Sequence, residues 1–285
     1  MLRIFFLLIL AIQNLIAQDT LVNKKRLNVV RYGALATYSV GMLGLSKVWY
    51  SQSTQSSFHF FNDAAEWKQM DKAGHLFTAF HLSNAGHKML TWANSNERKR
   101  ALVSSVSGFV VLSSIEIFDG FSKTYGASLT DVAANATGSL LFYGQMVGWR
   151  EIRIYPKFSF SRSNMAHLRP NVLGDGLTQE ILKDYNGQTY WLSIDMDKFM
   201  AFPKWLNLAV GYGANNMKYA RDSENRAEGF APIRQFYFSV DFDLTSVKTR
   251  SKFVNGLVYF VNIIKLPAPT IEFNPNGAKG HWLYF

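Results

Sequence analysis

The chain of 285 residues contains no cysteine. That excludes disulfides and lipid attachment through a cysteine, so the fold must be held by burial alone. Acidic residues are scarce: 20 Asp and Glu stand against 30 Lys and Arg, a formal charge of +10. Long apolar runs are also missing. The uncharged stretches Tyr32–Ser46, Ala101–Ile115 and Val132–Trp149 reach about 15 to 18 residues, at or below the roughly 20 needed to span a bilayer. There is no Gly-rich phosphate loop, Gly-x-Ser-x-Gly elbow, His-Glu-x-x-His pair or internal repeat, so none of these motifs supplies a chemistry.

What is present begins at the N-terminus. Arg3 precedes the apolar run Ile4–Ile12, and Ala17 precedes the polar Gln18-Asp19-Thr20. This order predicts a signal peptide over residues 1–17, cleaved after Ala17. An exported basic protein meets anionic membrane lipid or lipopolysaccharide first, and no nucleic-acid partner is expected. Aromatic residues make up 15% of the chain and concentrate in the second half, as where rings sit at a membrane interface. The chain ends His281-Trp-Leu-Tyr-Phe285, which resembles the C-terminal signal of bacterial outer-membrane β-proteins. The outer-membrane insertion machinery is therefore an expected partner and the outer membrane the expected address, with the periplasm as the alternative.

Periodicity divides the chain near Arg150 and predicts an α+β protein. Residues 28–149 read as a four-helix bundle with helices over Asn28–Tyr50, Asp63–Trp92, Glu97–Phe118 and Ser128–Trp149. Asp63-Ala-Ala-Glu66 and Ser128-Leu-Thr-Asp131 match capping boxes, and Ser104 with Gly108 and Ala134 with Gly138 place small residues four apart, which lets helices approach closely. Residues 150–285 read as a β-rich domain, a partly open sheet or a small barrel. Strands are expected over Lys157–Ser161, Tyr190–Asp197, Trp205–Tyr212, Gln235–Leu244, Ala268–Phe273 and His281–Phe285. In the fourth, Phe236, Phe238, Val240, Phe242 and Leu244 alternate with Ser239, Asp241 and Asp243, the pattern of a half-buried strand. A short helix is expected over Thr178–Lys183. An amphipathic helix over Lys252–Lys265, with Phe253, Leu257, Val261 and Ile264 in one stripe, would cover the sheet.

Three helical segments carry polar pairs at same-face spacing: Asp71 with His75, Glu116 with Asp119, and Asp131 with Asn135. If the second and third helices are antiparallel about Asn94–Asn96, His75 and Glu116 each lie about 19 residues from the turn, roughly 29 Å along the axis. The fourth helix starts at that same end, so one layer gathers these six residues with Lys72 and Ser128 nearby. Buried carboxylates need compensation. A divalent metal held by Asp71, His75, Glu116, Asp119 and Asp131 would supply it, and so would a catalytic acid/base pair of His75 with Glu116 opening on a cleft. A network that merely caps and orders the helices is the third reading. His81 and His87, six apart, read as core or interface residues, and Arg98-Lys99-Arg100 as a solvated turn facing anionic lipid.

The pattern Asp71-Lys72-Ala-Gly-His75, Glu116-Ile-Phe-Asp119-Gly120 and Gly126-Ala-Ser128-Leu-Thr-Asp131-Val-Ala-Ala-Asn135-Ala-Thr-Gly138 resembles the YfiM-like family of predicted periplasmic proteins, which has no assigned activity. A looser similarity runs to VanZ-like membrane proteins, through Asp-Lys-x-x-His and a later Asp-x-x-x-Asn. The resemblance covers about Asp71–Gly144 and implies where a site lies, not a reaction. The expectation is an envelope protein with a structural or scaffolding role. A metal-dependent hydrolase or transferase acting on lipid or cell-wall material is the alternative, and lipid or ligand binding the second.

Overall fold

The computed structural model describes residues 22–47, 54–247 and 249–285. The expected signal peptide and the end of the first expected helix lie outside these residues. The chain is α+β, helices first and a six-stranded antiparallel open sheet after. It forms two compact units. The first runs up to Asp63 and resumes over His75–Glu151; the second takes Ala64–Gly74 and Ile152–Phe285.

The long helices are α1 (Lys24–Leu45), α2 (Met70–Trp92), α3 (Glu97–Asp119) and α4 (Leu129–Gly148). Asn23 caps α1 by accepting the Arg26 N–H, and Leu27 of α1, with Val22 just ahead of the helix, packs against Leu90, Ala93 and Val103. Asn94 turns the chain between α2 and α3 in the left-handed region, φ 56. Arg100 donates there to the Ser95 carbonyl at 2.7 Å and to Thr91 Oγ1 at 2.9 Å. The expected Arg98–Arg100 turn lies in the first turn of α3, and Arg100, half-buried, serves acceptors at the α2–α3 connection.

Glycine sets the closest helix approaches. A Cβ on Gly108 would lie 2.4 Å from Ser83 Oγ, and one on Gly138 would lie 2.1 Å from the Leu76 carbonyl oxygen. Backbone cannot swing aside as a side-chain tip can, so Gly138 is what allows α4 to close on α2 next to His75. Gly138→Ala should cost about 1–3 kcal/mol through overpacking, whereas Gly144→Ala, with open space around it, should be neutral or stabilising by up to about 1 kcal/mol from helix propensity. Thermal unfolding of the two variants checks this, and equal melting temperatures would contradict the packing.

The expected capping box at Asp63 does not form. Glu66–Gln69 is a 3-10 turn and α2 starts only at Met70. Trp67, Lys68 and Gln69 have positive φ of 46, 53 and 64. Tyr212 holds this segment by donating to the Lys68 carbonyl, Asp222 pairs with the Lys68 ammonium, and Arg234 donates to Gln69 Oε1 at 2.5 Å. Tertiary bonds here override a local helix-start signal. The second box forms in part: Ser128 caps α4 by accepting the Asp131 N–H at 3.0 Å.

The strands are β1 (Ile154–Phe160), β2 (Gln188–Ile194), β3 (Leu206–Asn215), β4 (Ile233–Phe242), β5 (Ala268–Asn274) and β6 (Gly277–Tyr284), paired in sequence order. Short helices α5 (Leu177–Lys183) and α6 (Asp222–Ala227) sit in connections, and α7 (Lys252–Val261) precedes β5. The chain after α7 runs beside β1, with Phe158 N–H donating to the Ile263 carbonyl and Lys265 N–H to that of Phe158.

Half-burial of the strands holds with the faces in an unusual order: the polar set is inside. Tyr237, Ser239 and Asp241 are buried while Phe236 and Phe238 are exposed. The inward groups satisfy one another. Lys157 Nζ lies 2.7 Å from Asp241 Oδ2, Ser193 donates to Asp241 at 2.6 Å, Trp191 Nε1 donates to Ser159 at 2.9 Å, and Tyr284 donates to Tyr237 at 2.7 Å. The expectation that the amphipathic helix covers the sheet is corrected as well. Its stripe of Phe253, Leu257, Val261 and Ile264 is exposed, because the interior already holds a bonded polar network with no place for it.

Candidate functional site

Within the helical unit, three side chains from three helices converge. His75 Nε2 on α2 lies 3.8 Å from Glu116 Oε1 on α3 and 3.9 Å from Asp131 Oδ2 on α4. The three offer donor atoms that all lie within 4.8 Å of one another. Each is placed for a local reason. The Ser128 cap fixes where α4 begins, and hence the height of Asp131 in its first turn. Gly138 brings α2 and α4 together one turn beyond Asn135. Glu116 sits one turn before the end of α3 and reaches across to accept the Ser128 N–H on Oε2 at 3.1 Å.

The imidazole is oriented from behind. His75 Nδ1 lies 2.9 Å from Asn135 Oδ1, an acceptor, so Nδ1 carries the hydrogen and donates. Asn135 Nδ2 donates in turn to Ser113 Oγ at 3.3 Å, which fixes the amide. With Nδ1 turned to Asn135, Nε2 is the ring nitrogen aimed at the two carboxylates, the orientation of a metal-ligating histidine with a positioning partner.

Separations of 3.8–3.9 Å are too long for hydrogen bonds. They are close to the roughly 3.4 Å between donors on a tetrahedral ion with bonds of about 2.1 Å. Glu116 is 4% exposed, and its Oε1 has no hydrogen-bond partner among the described residues. Burial, followed by the charge of Asp131 and more weakly of Asp119 and Asp63, pushes its carboxyl up to about 8, against the Ser128 N–H that lowers it. The His75 side chain stays 20% exposed, so the cluster is not sealed.

The other expected residues fall around this centre. Asp71 and Lys72 occupy the turn before His75 on α2 and pair with each other at 2.7 Å. Asp119 ends α3 and acts on Glu116 through its charge. Ser128 serves as cap and backbone donor. His81 packs its ring on Phe77 and Phe80, and His87 packs on Phe142 with its pKa lowered by burial to about 4. Both lie among aromatic rings. Asp63 serves another purpose than the capping that its spacing to Glu66 suggests. Its Oδ1 accepts from Ser128 Oγ at 2.6 Å and Thr130 Oγ1 at 2.8 Å, which ties the start of α4 to the chain ahead of α2.

Residues 59–144 match the model of a family described as predicted periplasmic lipoproteins (DUF2279). The match spans the stretch that carries the sequence resemblance, includes every residue of this centre, and fits an exported protein of the cell envelope. The 285 residues hold no cysteine to bear a lipid. No curated protein and no solved structure matches the chain.

Proposed function

We propose that this is an envelope protein associated with the outer membrane, whose helical unit binds a divalent metal ion through His75 Nε2, Glu116 and Asp131. The observation that carries the reading is Glu116 Oε1: a buried oxygen without a hydrogen-bond partner among the described residues, 3.8 Å from an imidazole nitrogen held toward it. A bound cation relieves the mutual repulsion of the carboxylates and the imidazole lone pair at once. One nitrogen and two carboxylates favour zinc or manganese over magnesium and calcium, which prefer all-oxygen shells. The narrower likenesses to YfiM-like and VanZ-like proteins add no reaction.

Three ligands beside a partly exposed histidine leave a coordination position open, the arrangement of catalytic rather than structural zinc sites. This favours metal-assisted hydrolysis of lipid or cell-wall material as the second reading, after a structural role for the ion. Calorimetric titration of chelator-treated protein with zinc and manganese tests the proposal. Wild type should bind a single ion per chain and gain about 2.7 kcal/mol of stability at a hundredfold excess over Kd, and His75→Ala should do neither. Wild-type protein that binds neither ion would overturn it.

A further inference from the structure

We propose that the outward face of the sheet, together with the apolar stripe of α7, lies in the hydrocarbon of a single leaflet of an anionic phospholipid membrane. The inference deepens the outer-membrane reading and does not depend on the metal site.

The strand register assembles the face. Leu192 lies opposite Val210, Val210 opposite Phe238 and Phe238 opposite Ile271, one exposed apolar row across four strands, with Pro156 on β1 buried beside Leu192. Val210, Phe238 and Ile271 in that row are 44%, 44% and 45% exposed. In the next row Tyr190 and Tyr212 pack against Trp67 and Met70, so the open face continues there through Phe236 and Phe273, 54% and 47% exposed, while Ile194, Leu208 and Val240 form a half-buried third row. No charged residue falls in these three rows. Phe158 on β1 bridges to Ile264, which continues the face into the α7 stripe, where Phe253 is 80% exposed.

Three observations choose lipid as the occupant. First, the sheet has the polarity of a membrane sheet, bonded polar groups within and apolar side chains without, opposite to a soluble sheet. Second, the face continues into an amphipathic helix whose Phe253, Leu257 and Phe260 are 80%, 55% and 66% exposed, the form in which helices lie in the interface of one leaflet and do not cross the bilayer. Third, the exposed Arg250 directly precedes α7 in a chain of net charge +10, the placement by which interfacial helices meet anionic headgroups.

The test is flotation of purified full-length protein with phosphatidylglycerol–phosphatidylethanolamine vesicles, beside vesicles of phosphatidylcholine alone. Wild type should float with the anionic vesicles, and Phe238→Asp/Leu257→Asp should lose at least tenfold in bound fraction. Both positions are exposed, so the fluorescence of the buried Trp191 should not change. His75→Ala should float like wild type, which separates failure here from failure of the metal reading. A discrete wild-type dimer in sedimentation without lipid, abolished by the double substitution and accompanied by no flotation, would overturn the proposal in favour of a second copy.

Discussion

Glu116→Gln raises the melting temperature of the metal-free protein at neutral to alkaline pH and abolishes its response to metal. A buried carboxyl whose pKa is raised from 4.5 to about 8 binds its proton more tightly folded than unfolded. The fold is therefore relatively most stable below about pH 4.5 at this site and loses that advantage as pH rises through 8, by an amount on the order of a few kcal/mol. Glutamine keeps the volume, and its carbonyl oxygen still accepts the Ser128 N–H. It carries no charge for Asp131 and Asp119 to oppose. Thermal scans with chelator at pH 5 and pH 8 should show a gap between variant and wild type that widens at pH 8. With zinc added only the wild type should shift. A variant less stable than wild type at pH 8 would mean that the carboxylate is compensated within the helical unit and that no ion is needed.

The second large effect lies in the sheet. Asp241→Ala removes the partner of Lys157, whose Nζ lies 2.7 Å away with both side chains essentially inaccessible. The Phe242 carbonyl and Asn262 Oδ1, at 3.0 and 3.2 Å from the ammonium, solvate it without neutralising it. Breaking a buried pair from one side typically costs 3–5 kcal/mol, whereas replacing both ions with apolar groups of similar volume is often neutral. Urea unfolding followed by tryptophan fluorescence should show that loss for Asp241→Ala and recovery of most of it in Lys157→Met/Asp241→Leu. A single variant as stable as wild type would contradict the buried pair.

The helices and strands were legible because their periods, 3.6 and 2, follow from backbone geometry. All six expected strands overlap an observed one. The start of β6 was missed because Gly277, Lys279 and Gly280 are poor strand formers, and its pairing with β5 overrides them. Period 2 states that two faces differ, not which is inside. Phe236 and Phe238 against Ser239 and Asp241 read the same way whether core or lipid receives the rings, so the exchange of faces needed the positions of Lys157 and Asn262, far away in sequence. In the helical unit, equal distances from the Asn94 turn were enough to bring His75 level with Glu116. Asp63 escaped because Asp-x-x-Glu ahead of an apolar run is the same signal as a capping box, and only the left-handed Trp67–Gln69 segment shows otherwise. The Ser128 N–H could not be assigned to Glu116 from sequence either, since that bond joins the turn after α3 back onto α3 itself.

The most direct measurement is a crystal of chelator-treated protein soaked in zinc, with diffraction recorded on both sides of the zinc absorption edge. An anomalous peak within about 2.0–2.2 Å of His75 Nε2 and of one oxygen each from Glu116 and Asp131 is the predicted result. Zinc bound elsewhere in the crystal, with the space between these three side chains empty, would contradict it.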